Sequence, residues 1–146
     1  MKRLKRDTTD SSIERRAEGV ALPSDLGQPS RIRRGLASYA GMCAQCHGAP
    51  GRQPGPLGLG LNPSPPRLHE AEGELLEPRR AFWVMKHGIR MTGMPAFGRT
   101  HEDQALWDIA AFLQELPQLS AGETTGACRR WRVGSTGTMG DEPARS

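Results

Sequence analysis

The stretch Cys43-Ala44-Gln45-Cys46-His47 decides how this chain folds. A helical pattern of apolar residues leads into it over residues 31–42. Directly after it, residues 48–68 contain six prolines and five glycines, a composition typical of a long irregular loop. The sequence therefore predicts a helix that carries two cysteines and a histidine at its end. The loop that follows is of a length usually found in functional or disordered loops.

The spacing of these side chains indicates covalent attachment of haem. Two cysteines three positions apart can add to the two vinyl groups on one side of a porphyrin, and an adjacent histidine then lies beneath the ring, where it can bind iron. Cys43, Cys46 and His47 meet this requirement. They predict one covalent haem c, with His47 as an iron ligand.

Two other uses of a close cysteine pair fit less well. A thioredoxin-like pair begins a helix after a strand, whereas this pair follows a helical pattern. A structural zinc site needs four ligands, usually from a second close pair. The remaining cysteine and histidines are scattered singly, at Cys128, His69, His87 and His101. We interpret Cys128 as incidental.

A second iron ligand is predicted at Met94. It lies in a loop with glycine on both sides, and Pro95 disfavours helical geometry at Met94, so that its side chain can project from extended backbone. Methionine is a common partner of histidine in haem electron carriers. Met91 is the main rival in the same loop, while Met85 and the single histidines are weaker candidates.

The rest of the chain predicts an all-α fold with three to four helices. One helix is expected from about Pro78 to His87 and another from about His101 to Leu116, which carries an apolar stripe closed by Pro117. We expect these helices and long loops to wrap around the single haem. Only 36% of the 146 residues are hydrophobic, so a covalently attached ring would supply part of the missing core.

Charge and composition divide the chain into three parts. The net charge of +4 arises outside residues 35–120, because residues 1–34 carry +4 and residues 35–120 carry −1, with no basic stripe interleaved with aromatics. This argues against nucleic-acid binding. We expect a flexible N-terminal segment over residues 1–30, the folded domain over 31–120 and a disordered polar tail over 121–146. No apolar run is long enough to span a bilayer.

With these motifs in order, the chain resembles a class I c-type cytochrome. The resemblance covers about residues 31–119 and is closest to small bacterial mono-haem cytochromes and to the cytochrome c modules of bacterial oxidases and dehydrogenases. It includes Met94-Pro95-Ala96-Phe97 and the helix around residues 107–113. It implies that the first and last helices of the domain cross near Gly35 and Tyr39, with Trp107 or Ala110 opposite.

The same resemblance implies that a proline carbonyl orients the ligating histidine. Pro56 is the first match for this cofactor-binding role and Pro66 the second. Trp83 and Arg67 are further candidates to border the haem carboxylates, although helix packing explains Trp83 at least as well and solvation explains Arg67 better.

These features predict electron transfer rather than catalysis. Two protein ligands on the iron leave no vacancy for a small-molecule substrate, so we expect no catalytic residues, and redox proteins such as a dehydrogenase or an oxidase as partners. Two alternatives stay open. In the first, the chain is a haem c subunit docked to a dehydrogenase or terminal oxidase. In the second, it is a haem enzyme or gas sensor with an open iron site.

The chemistry also predicts a periplasmic location, because covalent haem attachment is completed outside the cytoplasm. Residues 1–30 lack the apolar region of a secretory signal, so this expectation rests on the haem chemistry alone. Any association with a membrane is expected only through partner proteins.

Overall fold

A computed structural model describes residues 2–71 and 76–123, with side chains described from residue 8 onward. Within these ranges the chain forms six α-helices and no β-strand, which confirms the all-α class. The α-helices are α1 (Lys2–Ala17), α2 (Pro29–Ser38), α3 (Ala44–His47), α4 (Pro56–Leu59), α5 (Pro78–His87) and α6 (Asp103–Glu115). Short 3-10 turns occur at Leu68–Glu70, Phe97–Arg99 and Leu116–Gln118.

One continuous helical run delivers the cysteine motif. Helix α2 begins at Pro29, whose fixed φ suits the first helical turn, and continues through a π-helical segment at Tyr39–Cys43 into α3. The run ends at Gly48, where φ is 69°. Since left-handed backbone favours glycine, the residue after His47 provides the sharp turn into the loop.

The two later helices lie where the sequence predicts them. Helix α5 has the predicted bounds, and the Glu77 side chain caps it by accepting a 2.8 Å hydrogen bond from the Arg80 amide. Gly88 ends α5 with a φ of 67°. Helix α6 begins two residues after the expected start and supplies more of the core than any other helix, with Leu106, Ile109 and Phe112 at 1% exposure or less.

Helices α2 and α6 cross in close contact at Gly35. A Cβ atom added there would lie 1.9 Å from the Asp108 carbonyl oxygen and 2.8 Å from the Phe112 Cβ. The predicted crossing at Gly35 is therefore confirmed, but the residues opposite are Asp108 and Phe112 rather than Trp107 or Ala110. The Tyr39 ring lies beside Phe112, with 5.3 Å between ring centroids.

A buried ion network closes the same crossing. The Asp108 carboxylate accepts hydrogen bonds from Arg31 at 2.8 Å and from Arg34 at 2.7 Å. Arg31, only 4% exposed, also donates to Asp25 and to the side-chain oxygen of Gln104. These contacts engage both terminal nitrogens of the buried Arg31 guanidinium with groups from α6 and from the turn before α2, while its Nε has no hydrogen-bond partner.

The N-terminal segment differs from the sequence expectation of a flexible stretch. Residues 2–17 form helix α1, and Ile13 and Ala17 are buried. Few apolar residues suffice because Arg80 of α5 forms ion pairs with Asp10 and Glu14 and so adds to the contact. No helix in the described ranges is both long and apolar enough to cross a bilayer. Residues 121–123 of the expected disordered tail are helical, while the tail from residue 124 onward and Cys128 lie outside the described residues.

Candidate haem site

The two cysteines of the motif lie at the end of the helical run as free thiols. Cys43 packs partly buried against the core, and burial raises the pKa of its thiol to about 12, with the nearby Cys46 as a second cause. Helix α4 supports the backbone behind Cys46, since a Cβ atom on Gly58 would lie 2.7 Å from the Cys46 Cα. The two thiols are therefore held on one rigid turn and are not bonded to each other.

The ring of His47 is oriented by a backbone carbonyl. Its Nδ1 lies 2.7 Å from the Pro66 oxygen, a distance at which a protonated Nδ1 donates a hydrogen bond. Burial lowers the pKa of the His47 imidazole, while the contact with Pro66 acts in the opposite direction. The neutral ring, with Nδ1 engaged, keeps Nε2 as the nitrogen available for a metal.

The carbonyl beside His47 corrects our expectation for Pro56. Pro56 is the first residue of α4, and its carbonyl accepts a 3.1 Å hydrogen bond from the Gly60 amide. That oxygen is used by the local helical turn. Pro66, the second candidate, lies near the end of the proline-rich loop, which turns back so that its carbonyl reaches His47. The path of this loop cannot be predicted from sequence spacing.

The Tyr39 hydroxyl is a part of the site that the sequence pattern did not reveal. It donates a 2.7 Å hydrogen bond to the carbonyl of Gly48, the residue after His47, and Tyr39 is only 1% exposed. Burial raises the pKa of Tyr39, with Cys43 as a lesser cause, so the hydroxyl stays a donor. A tyrosine at a core position of the predicted helix was the available signal, because a buried hydroxyl needs a partner.

The methionine loop holds Met94 and Met91 in different surroundings. Met94 is half-buried and packs against the core, whereas the Met91 side chain is 93% exposed. The Met94 backbone is held by the Ile89 amide, which donates to its carbonyl at 3.3 Å, and by Thr92, whose hydroxyl accepts from its amide at 3.1 Å. The loop therefore presents Met94 inward and Met91 outward.

The segments that carry His47 and Met94 meet at Leu61 and Gly93. A Cβ atom on Gly93 would lie 2.5 Å from a terminal carbon of Leu61, so the Leu61 side chain packs directly on the backbone of Gly93. Leu61 belongs to the loop between His47 and Pro66. The loop that follows His47 is thus in contact with the residue before Met94.

The other candidates have local partners. Arg67 donates to Gln53 at 2.5 Å, and Trp83 stacks on His87 with 3.9 Å between ring centroids. His101 lies 2.9 Å from the Thr100 hydroxyl, and His69 lies 3.5 Å from Glu70. In the described part of the chain, no three His, Cys, Asp or Glu side chains cluster as a zinc site requires.

This donor set fits a covalent haem. It offers two free thiols on one turn, an imidazole with one nitrogen engaged and the other available, and a half-buried thioether in an adjacent loop. The all-α frame and this site define a c-type cytochrome domain, which is a module for haem-based electron transfer.

The family follows from comparison with known proteins. The family model described as cytochrome c oxidase, cbb3-type, subunit III matches residues 30–113, and the chain belongs to that family. No curated protein and no solved structure matches the chain. The matched segment begins at helix α2, so α1 lies outside it.

Proposed function

We propose that the chain carries single electrons through one haem c, attached at Cys43 and Cys46 and ligated by His47 and Met94. When bound, the haem supplies Fe(III)/Fe(II) cycling. The observation that carries the proposal is the 2.7 Å contact between His47 Nδ1 and the Pro66 carbonyl. It leaves Nε2 free, as a histidine ligand of iron requires.

The Pro66 carbonyl does two things for His47. It selects the tautomer in which the proton lies on Nδ1, and it restricts rotation of the ring about its side-chain bonds. A hydrogen bond to the far nitrogen also makes the ligating nitrogen more basic, which favours the oxidised metal. The chain therefore sets both the direction and the donor strength of this ligand.

Met94 raises the reduction potential, whereas the hydrogen bond to His47 lowers it. A thioether ligand raises the reduction potential, and the half-buried position of Met94 limits its contact with water. Since Met91 points into solvent, we assign the second axial position to Met94. With both positions filled, the site has no place for a small-molecule substrate.

Electrons must enter and leave through contact with redox proteins. Leu57 and Leu59 are 64% and 70% exposed, and they belong to helix α4, which packs directly on Cys46. Apolar side chains beside the attachment turn favour brief docking, and transient redox complexes have small interfaces. We place this exchange in the periplasm, because covalent haem attachment is completed outside the cytoplasm.

A second candidate is a role as a bound subunit of a terminal oxidase. The family match favours it, since the matching family is described as an oxidase subunit. Co-purification of the tagged, haem-loaded chain with oxidase subunits supports this role, whereas a chain that purifies alone supports the free carrier.

The attachment is tested by spectra of the chain produced with a cytochrome maturation system. A pyridine haemochrome spectrum should give one haem c for each chain, and haem staining should persist on a denaturing gel. Cys43→Ser with Cys46→Ser should abolish the stained band. Cys128→Ser is the matched control and should leave it unchanged. Staining that survives loss of both Cys43 and Cys46 overturns the proposal.

A further inference from the structure

We propose that helix α1 and Arg80 position the Met94 loop by bracing helix α5, so that release of α1 weakens Met94 as a ligand. This inference rests on the proposed ligation by Met94. It assigns a role to a helix outside the segment that matches the family model.

The first link is the contact between α1 and α5. Ile13 and Ala17 of α1 are 7% and 3% exposed, so this helix is docked rather than lying free on the surface. The Arg80 guanidinium of α5 lies 2.7 Å from Asp10 and 3.5 Å from Glu14. Its side chain is only 9% exposed, and a buried guanidinium without carboxylates is strongly unfavourable.

The second link fixes α5 on its opposite side. The Phe82 ring of α5 stacks on Trp107 of α6, with 4.1 Å between centroids and 8° between planes. Met85 is buried in the same core, at 4% exposure. Helix α5 is therefore held between α1 and α6, and loss of α1 removes one of its two supports.

The third link joins the end of α5 to the methionine loop. A Cβ atom on Gly88 would lie 2.8 Å from the Met94 carbonyl oxygen and 3.0 Å from the Ala96 amide nitrogen. On the far side of the loop, a Cβ atom on Gly98 would lie 2.8 Å from the Lys86 carbonyl oxygen. Backbones this close move together, so a shift of the end of α5 displaces Met94.

The charges make the brace selective. The two carboxylates come from one turn of α1, and Arg80 is the α5 group that they both meet. Neutralising Asp10 and Glu14 leaves the contacts between α5 and α6 intact. It leaves the buried Arg80 guanidinium without a charged partner, so that exposure of Arg80 to solvent becomes favourable. The expected result is a looser α5 end and a Met94 loop that opens more often.

The test measures how often Met94 leaves the iron of the haem-loaded, full-length chain. Carbon monoxide can bind the iron only after Met94 has dissociated, so its binding rate to the reduced protein measures how often the loop opens. Two variants release α1: Asp10→Asn combined with Glu14→Gln, and Ile13→Lys, which places a cation in the contact that holds Arg80. Arg34→Gln is the matched control, because it removes an ion pair of another helix contact, with Asp108.

We expect both α1 variants to bind carbon monoxide about fivefold faster than the parent chain, with faster hydrogen exchange at the Ile89 amide. The control should bind at the parent rate. An unchanged rate in Ile13→Lys, whose buried cation forces α1 off α5, overturns the inference. If the parent chain shows no far-red methionine–iron band and binds carbon monoxide without delay, the proposed Met94 ligation fails instead.

Discussion

The Tyr39 hydroxyl donates a 2.7 Å hydrogen bond to the carbonyl oxygen of Gly48, which directly follows His47. The tyrosine ring lies beside Phe112 of α6, so this bond ties the end of the cysteine motif to the crossing of α2 and α6. The backbone next to His47 is thereby fixed from the core, while the ring itself is fixed by Pro66. Helix packing and ligand orientation are coupled through one side chain.

Replacing Tyr39 by Phe should keep the ring contact and leave the Gly48 carbonyl buried without its donor. The expected loss is about 1–2 kcal/mol of unfolding free energy, measured by chemical denaturation of the haem-loaded chain. The NMR signals of the His47 ring should shift as well, because its backbone loses a restraint.

The control for Tyr39→Phe is Gln114→Met, which removes a 2.6 Å hydrogen bond to the Leu76 carbonyl. It should lower stability by a similar amount and leave the His47 signals in place. Equal His47 signals in the parent chain and in Tyr39→Phe would show that the bond serves stability alone.

Gly35→Ala should be among the most damaging single substitutions. The added Cβ would lie 1.9 Å from the Asp108 carbonyl, a backbone atom that cannot move without shifting α6. We expect a loss of about 3 kcal/mol or more in unfolding free energy, by analogy with severe overpacking. Gly27→Ala is the control, since a Cβ there meets nothing within 4 Å. Equal stability of the two variants would contradict the tight crossing.

The sequence predicts the local parts of this molecule well. Helix α5 has its predicted bounds, because Pro78 and Gly88 mark its two ends through their own backbone preferences. The apolar stripe of α6 likewise indicates a helix without reference to the rest of the chain. Gly35 was marked as a crossing point from the family resemblance, and the structure confirms it.

The parts that the sequence did not predict depend on contacts between distant segments. Pro66 and Pro56 lie in the same proline-rich loop, and only the path of that loop decides which carbonyl reaches His47. Helix α1 has too few apolar residues to predict docking, because part of its contact comes from ion pairs with Arg80. Ligation by His47 and Met94 and haem attachment at Cys43 and Cys46 stay predictions.

Asp108→Asn should destabilise the chain far more than loss of the exposed partner Arg34. The carboxylate neutralises Arg31, whose side chain is 4% exposed, so removing its charge leaves a buried cation with only Asp25 as an ionic partner. We expect a loss of about 3 kcal/mol for Asp108→Asn and a clearly smaller loss for Arg34→Gln, because the Arg34 guanidinium is solvated. Denaturation of both variants measures the difference, and equal losses would contradict the assignment of Arg31 as the dependent group.

Met94→Ala and Met91→Ala should differ sharply in the oxidised, haem-loaded chain. Met94 is half-buried against the core, whereas Met91 is 93% exposed, so we expect only Met94 to ligate. We expect Met94→Ala to lose the weak far-red absorbance band of methionine–iron ligation and to have a lower reduction potential, since the thioether is gone. Met91→Ala should keep both properties. A far-red band that survives in Met94→Ala but disappears in Met91→Ala would identify Met91 as the ligand. The loop would then have to change conformation on haem binding, so that Met91 faces inward.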